Sequence, residues 1–145
     1  MIALLQRVTA ASVSVNGEVI GSVGRGLMVL FCAERNDTDA DCDKLAAKTL
    51  AYRIFEDENG KMNRSVTDIG GEILAVSQFT LAADTSKGLR PSFFPAAEPA
   101  LGLRLYQRYV DKLREGGLKV QTGQFGAYMQ VALVNDGPVT IWLKS

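Results

Sequence analysis

The dipeptide Asn16-Gly17 separates two short alternating runs, Val13-Ser14-Val15 before it and Val19 to Val23 after it. Asn-Gly supplies the two positive-φ positions of a tight hairpin turn. The pair therefore predicts an antiparallel β-hairpin and commits the start of the chain to sheet. Residues 2–10 are rich in β-compatible apolar side chains and predict a strand ahead of the hairpin. After it, Gly24-Arg25-Gly26 turns into the apolar run 27–33, too short for a surface helix and suited to a buried strand.

Helical signals come twice. Asp37 to Arg53 predicts a helix, with Asp37 or Thr38 as cap and acids crowding the first turn. Pro99 to Glu115 predicts a second, with Leu101, Leu105, Tyr109, Val110 and Leu113 near helical spacing and Gly116-Gly117 as its stop. Between them lie a short strand from Arg53 to Glu56, the turn Asp57-Glu58-Asn59-Gly60, a strand over 72–81, and a long loop, 82–98, carrying Lys87 and Arg90. Loops of that length are often functional. Strands at 118–122, 127–135 and 139–143 finish the chain. The expected fold is α+β, a mostly antiparallel, barrel-like sheet with two main helices, in a single domain over 1–145.

Composition narrows the chemistry. The chain has no histidine, which excludes a Ser-His-Asp or Cys-His nucleophile, a His-bearing zinc site and an imidazole acid or base. Sixteen basic side chains balance sixteen acidic ones, which argues against a protein that coats nucleic acid but leaves room for a small local contact with RNA. Two cysteines outside any CxxC pair suggest a buried thiol at Cys32 and a surface thiol at Cys42, in a reducing cytosol. No signal-peptide pattern opens the sequence, and no run approaches the roughly 18 apolar residues of a membrane span, so a cytoplasmic location without membrane contact is expected. Asp37, Asp39, Asp41 and Asp43 alternate like a calcium loop, but Cys42 and Lys48 stand where that loop needs Gly and Glu, so they read as acids at a helix N-terminus. Arg104, Arg108, Lys112 and Arg114 read as a solvated helix face in preference to an RNA-facing patch.

Three segments carry polar or conformationally special residues. In Ser77-Gln78-Phe79-Thr80, strand alternation sets Ser77 and Phe79 on one face and Gln78 and Thr80 on the other. The plainer reading is a half-exposed strand end; the functional one uses Thr80 or Gln78, with neighbouring backbone N–H groups, to hold a carbonyl and its developing oxyanion. Asn135-Asp136-Gly137-Pro138-Val139-Thr140 reads first as a hairpin turn, although a cis Gly137-Pro138 bond would let two flanking carbonyls point one way and hold an ammonium group. In Gly123-Gln124-Phe125-Gly126-Ala127-Tyr128-Met129, Phe125 and Met129 suit core packing.

Together with Gln6-Arg7-Val8, Gly60-Lys61-Met62-Asn63 and Lys87-Gly88-Leu89-Arg90-Pro91-Ser92-Phe93, these segments resemble the D-aminoacyl-tRNA deacylase family over nearly the whole chain. The resemblance implies hydrolysis of the ester of a D-aminoacyl-tRNA, glycyl-tRNA included, by a homodimer with active sites at the subunit interface. It implies that Ser77, Gln78, Phe79 and Thr80 line one wall of the pocket, that Phe125 and Met129 help shape it, and that Gly137 and Pro138 reach into the partner subunit's pocket with Arg7 fixing them. An L side chain would then drive into Gly137-Pro138 while a D side chain points to solvent, so one pocket accepts many D residues. No metal or cofactor is implied.

The expected mechanism is attack by water, with N–H groups near Phe79 and Thr80 holding the carbonyl oxygen and the tRNA's vicinal hydroxyl able to assist. Covalent attack by Thr80 is the second choice, because no base stands ready to activate it. Two other classes remain open: a small-molecule D-amino ester hydrolase using Thr80, and a non-catalytic module that binds an RNA 3′ end.

Overall fold

The computed structural model describes residues 1–145 in full. A 14-residue strand, β1 (Ile2–Val15), runs through a tight turn at Asn16-Gly17, both with positive φ, into β2 (Glu18–Val23). β3 (Gly26–Cys32) follows as the buried strand expected of the apolar run. Residues 2–8 of β1 pair antiparallel with β3 and residues 11–15 with β2, so one strand serves two neighbours on a single edge. The strand expected over residues 2–10 and the first arm of the hairpin are thus one element.

Helix α1 (Asp39–Ala51) is shorter at both ends than the sequence predicts. Thr38 caps it in a reciprocal capping box with Asp41, and the extended backbone at Tyr52 ends it. β4 (Phe55–Glu56) and β5 (Met62–Arg64) form a separate small hairpin. β6 (Glu72–Ser77) is followed by a 3-10 turn at Phe79–Ala82, then by α2 (Pro99–Glu115), β7 (Val120–Thr122) and β8 (Gln130–Lys144).

β6 lies parallel to both β3 and β7, which makes the sheet mixed at that side. Everywhere else its pairing is antiparallel, and the architecture is the expected α+β one with two helices against a nearly closed, barrel-like sheet. The seam is drawn together where β2 crosses β7: a Cβ on Gly21 would stand 2.8 Å from the Thr122 carbonyl oxygen, so only a residue without a side chain permits that approach.

Strand alternation divides the apolar side chains between two cores. Leu27, Val29 and Phe31 of β3, with Ile73 and Ala75 of β6, face the helices; Met28, Leu74 and Val76 face the barrel interior with Val8, Val13 and Val23. α2 buries Leu105, Tyr106, Tyr109, Val110 and Leu113 against the first set. Tyr109 stacks on Phe31 with ring centroids 4.6 Å apart and shares a 2.8 Å hydrogen bond with Thr49 of α1. Tyr106 donates to the Ala75 carbonyl at 2.7 Å, which ties the helix to the sheet beside the end of β6.

The four alternating acids are all engaged at this end of α1. Asp37 accepts from the Glu34 N–H, Asp41 completes the cap, and Asp39 and Asp43 pair with Arg104 and Arg108 of α2. Those two arginines are therefore held by carboxylates of α1. Cys42 departs from expectation: it is buried, its thiol pointing at the Leu105 carbonyl, because α1 turns that position toward α2. No helix is long and apolar enough to cross a membrane.

Candidate active site

The strand predicted over 72–81 stops at Ser77, and the chain turns into the 3-10 segment Phe79–Ala82. Thr80 consequently lies on a turn, and the strand-face grouping of Gln78 with Thr80 does not apply. The two still meet, since the Gln78 side-chain amide donates to the Thr80 hydroxyl. Gln78 sits at the start of the turn and its own N–H donates to Phe31 O at 2.7 Å, while its side chain caps nothing there. As the opening residues of a 3-10 turn, Phe79 and Thr80 have N–H groups with no acceptor inside it.

Beside this turn lies a cavity of about 610 Å³. Four separated stretches build its walls: residues 31–35, 76–79, 93–102 and 125–131. Ser77, Gln78, Phe79, Phe125 and Met129, all named from sequence, line it. Thr80 does not line it, nor do Arg7, Gly137 and Pro138 of the same chain. The rim is aromatic and open: Phe79 is 56% exposed and Tyr128 88%. Phe79 meets Phe93 edge-on at 5.1 Å. Surfaces of this kind offer flat apolar faces for a planar ring.

Sequence reasoning missed Phe93, Tyr128, Arg35 and Cys32 as lining residues. The length of loop 82–98 and the Lys87–Phe93 stretch pointed toward Phe93, and the Gly123–Met129 segment toward Tyr128; nothing local marks Arg35 or Cys32, which arrive through packing. Arg35 lies over the Phe94 ring at 4.1 Å and pairs with Glu98 at 3.3 Å, so its charge is largely answered inside the rim. Burial, reinforced by Glu34, pushes the Cys32 thiol up to about 11, which disfavours its thiolate.

Gly137-Pro138 is a cis peptide, and the hairpin turn expected around it is absent. β8 continues through the segment as one strand, and its register against β1 shifts between Gln6 and Val8, opposite residues 135–140. The extra residues of β8 swell outward as a bulge. Arg7, opposite the bulge and only 8% exposed, donates from Nε to Asp136 O at 2.9 Å and from Nη1 to Ile54 O at 2.8 Å. Asn135 clasps the same bulge from within, accepting from the Val139 N–H at 2.7 Å and donating to the Thr140 hydroxyl at 2.9 Å. Gly137 and Pro138 are left exposed on the outer surface.

A family model described as D-Tyr-tRNA(Tyr) deacylase matches residues 4–144 of this chain. The chain belongs to that family. It is accordingly a hydrolase. It is similar to the D-aminoacyl-tRNA deacylase of Herminiimonas arsenicoxydans, 60% identical over 144 residues that span 99% of this chain and 97% of that one. The D-aminoacyl-tRNA deacylase of Haemophilus influenzae (strain PittEE) is also 60% identical, over 99% of both chains. Among solved structures, one titled "c-Myc DNA Unwinding Element Binding Protein" superposes with a TM-score of 0.94 at 45% identity, covering 100% of this chain and 99% of its own. A second, titled "Structural Analysis of a probable eukaryotic D-amino acid tRNA deacylase", shares the fold at a TM-score of 0.87 and 21% identity, covering 99% of this chain and 98% of its own.

Proposed function

We propose that this chain hydrolyses the ester between a D-amino acid and the 3′-terminal adenosine of tRNA, accepts glycyl-tRNA, and rejects L-aminoacyl-tRNA. The observation that carries this reading is the pairing of whole-length similarity to D-aminoacyl-tRNA deacylases with an open, aromatic-rimmed cavity beside uncommitted backbone donors. The rim offers a stacking surface to the adenine. Water attacks the ester carbonyl, the N–H groups of Phe79 and Thr80 hold the oxyanion, the carbon–oxygen bond to the ribose breaks, and a proton of the attacking water passes to the leaving ribose oxygen, which becomes the free hydroxyl. Thr80 positions the Gln78 amide in this scheme and forms no covalent bond.

The gate is supplied in trans. Gly137 and Pro138 stand exposed, outside the cavity of their own chain, and β8 pairs along one edge only, leaving Val134 and Trp142 half exposed. A long apolar edge of this kind favours pairing with a second copy. In such a homodimer Gly137-Pro138 enters the partner's cavity and occupies the direction an L side chain would take. The charged-tRNA substrate and the two free, buried thiols both fit a cytoplasmic protein.

Release of D-Tyr and L-Tyr from tRNA, with Thr80→Ala alongside, is the test. D-Tyr release at least about a hundredfold faster than L-Tyr release is expected, with Thr80→Ala retaining measurable activity; equal rates for the enantiomers would sink the gate. The name of the 45%-identical structure favours a second reading, nucleic-acid binding beside hydrolysis. That reading requires the chain to retain a nucleic acid that carries no aminoacyl ester.

A further inference from the structure

Loop residues 85–91 project from the cavity rim on a fixed stem. Asp84 and Ser92 exchange both backbone hydrogen bonds, at 2.8 and 3.0 Å, and Asp84 Oδ1 accepts from the Ser86 N–H at 3.0 Å. One arm of the stem is the continuation of the 3-10 turn that carries Phe79; the other leads directly into Phe93. The loop is thus anchored on both sides to residues lining the cavity. Gly88, with φ of +67°, reverses the chain at its tip in a conformation that other residues adopt poorly.

The loop carries two cations without partners, close together in sequence beside residues that line the cavity. Of the nine arginines, eight are engaged. Arg7, Arg35, Arg64, Arg104 and Arg108 have carboxylates, Arg53 and Arg114 have carbonyl oxygens, and Arg25 lies over the Phe55 ring. Arg90 alone has no such partner, and Lys87, three residues away across Gly88, has none either. Between them Leu89 is fully exposed. The single acid of the segment, Asp84, is turned into the stem by its bond to Ser86.

We infer that this loop is a docking site for the sugar–phosphate backbone of the substrate's 3′ strand: Lys87 and Arg90 each meet a phosphate, and Leu89 offers an apolar tip to a base face. The inference rests on the deacylase reading and deepens it, assigning the RNA contact to a small loop on a chain with no net charge. Two free cations beside the cavity suit a strand whose last nucleotide enters it, since each phosphate contact releases counterions without requiring a broad basic face.

The test compares D-Tyr-tRNA with the D-tyrosyl ester of adenosine, which lacks every phosphate, as substrates for the wild type, the double variant Lys87→Gln/Arg90→Gln, and a charge-matched control on the exposed face of α1, Lys44→Gln/Lys48→Gln. For the loop variant, KM for D-Tyr-tRNA should rise about tenfold and kcat should stay within about twofold. The slope of log(kcat/KM) against log[salt] should flatten by about 1.4, near 0.7 for each contact to a single strand. Kinetics on the adenosine ester and the melting temperature should stay at wild-type values, and the control should match wild type on both substrates. An unchanged KM for D-Tyr-tRNA, an equal rise in the control, or a parallel rise on the adenosine ester would each overturn the loop assignment while leaving deacylation intact. Failure of the wild type to hydrolyse either ester overturns both readings.

Discussion

Arg7 carries a full charge at 8% exposure, and two of its three nitrogens donate to backbone carbonyls on different segments, Asp136 and Ile54. Its one nearby carboxylate, Asp136, is 3.8 Å away and half exposed, so the carbonyls do most of the holding. Truncation would leave both carbonyls without a donor and open space beneath the bulge. Arg7→Ala should lower stability by about 2–4 kcal/mol, measured by urea unfolding. It should also reduce the preference for D-Tyr-tRNA over L-Tyr-tRNA more than it reduces D-Tyr release. A variant that lost stability but kept full discrimination would show that the bulge holds its shape without Arg7. The sequence placed Arg7 beside Gly137 and Pro138 only through family resemblance. The physical link, a register shift that sets a charged side chain opposite an insertion in the neighbouring strand, spans 129 residues and has no local signature.

At the scale of elements, periodicity and capping chemistry were legible, and breaks in regular structure were not. The hairpin at Asn16-Gly17, the buried strand β3 and the start and stop of α2 follow from local patterns. The end of β6 does not, because Gln78-Phe79-Thr80-Leu81 would pass for strand on propensity alone. The Gln78 N–H makes the last ladder bond, to Phe31 O, and only after it does the chain leave the sheet for the 3-10 segment. The bulge in β8 is similar, since Asn135 to Thr140 looks locally like a hairpin turn but is held in strand on both sides by β1. Where a local device does carry the element, its removal should be simply measurable. Thr38 caps α1 through a capping box, with its hydroxyl accepting from Asp41 N–H at 3.3 Å and Asp41 returning the bond at 2.8 Å. Thr38→Ala should cost about 1 kcal/mol in equilibrium unfolding and leave kcat/KM unchanged, because α1 supplies no residue to the cavity.

For the whole molecule, the absence of histidine sets the shape of the pH response. No histidine is present to titrate between pH 5 and 8, so a flat stability plateau is expected there, read as melting temperature against pH. On the acid side, the Arg108 guanidinium holds Asp43, Thr38 holds Asp41 and the Asn63 amide holds Asp57 below the usual 3.8 of an aspartate. The unfolded chain binds these protons first, so the stabilisation is complete above the unfolded value and is lost as pH falls through and below it. On the alkaline side, burial pushes the thiols of Cys32 and Cys42 from 9.0 to about 11 and about 12. The unfolded chain loses those protons first, so melting temperature should fall again from about pH 9 upward. A transition centred near pH 6.5 would contradict this account.

The sequence by itself determined most of the strands, both helices and a chemistry without imidazole, since turn residues, apolar periodicity and composition act over a few neighbours at a time. It also singled out Ser77 to Phe79, Phe125 and Met129, which line the cavity. The tertiary structure alone decided that β6 stops short of Thr80, that Gly137 and Pro138 swell outward away from their own chain's cavity, and that Arg35 and Cys32 join it. Those outcomes depend on strand register and on contacts between stretches far apart in the chain, and such contacts exist only once the sheet has closed and the helices have packed against it.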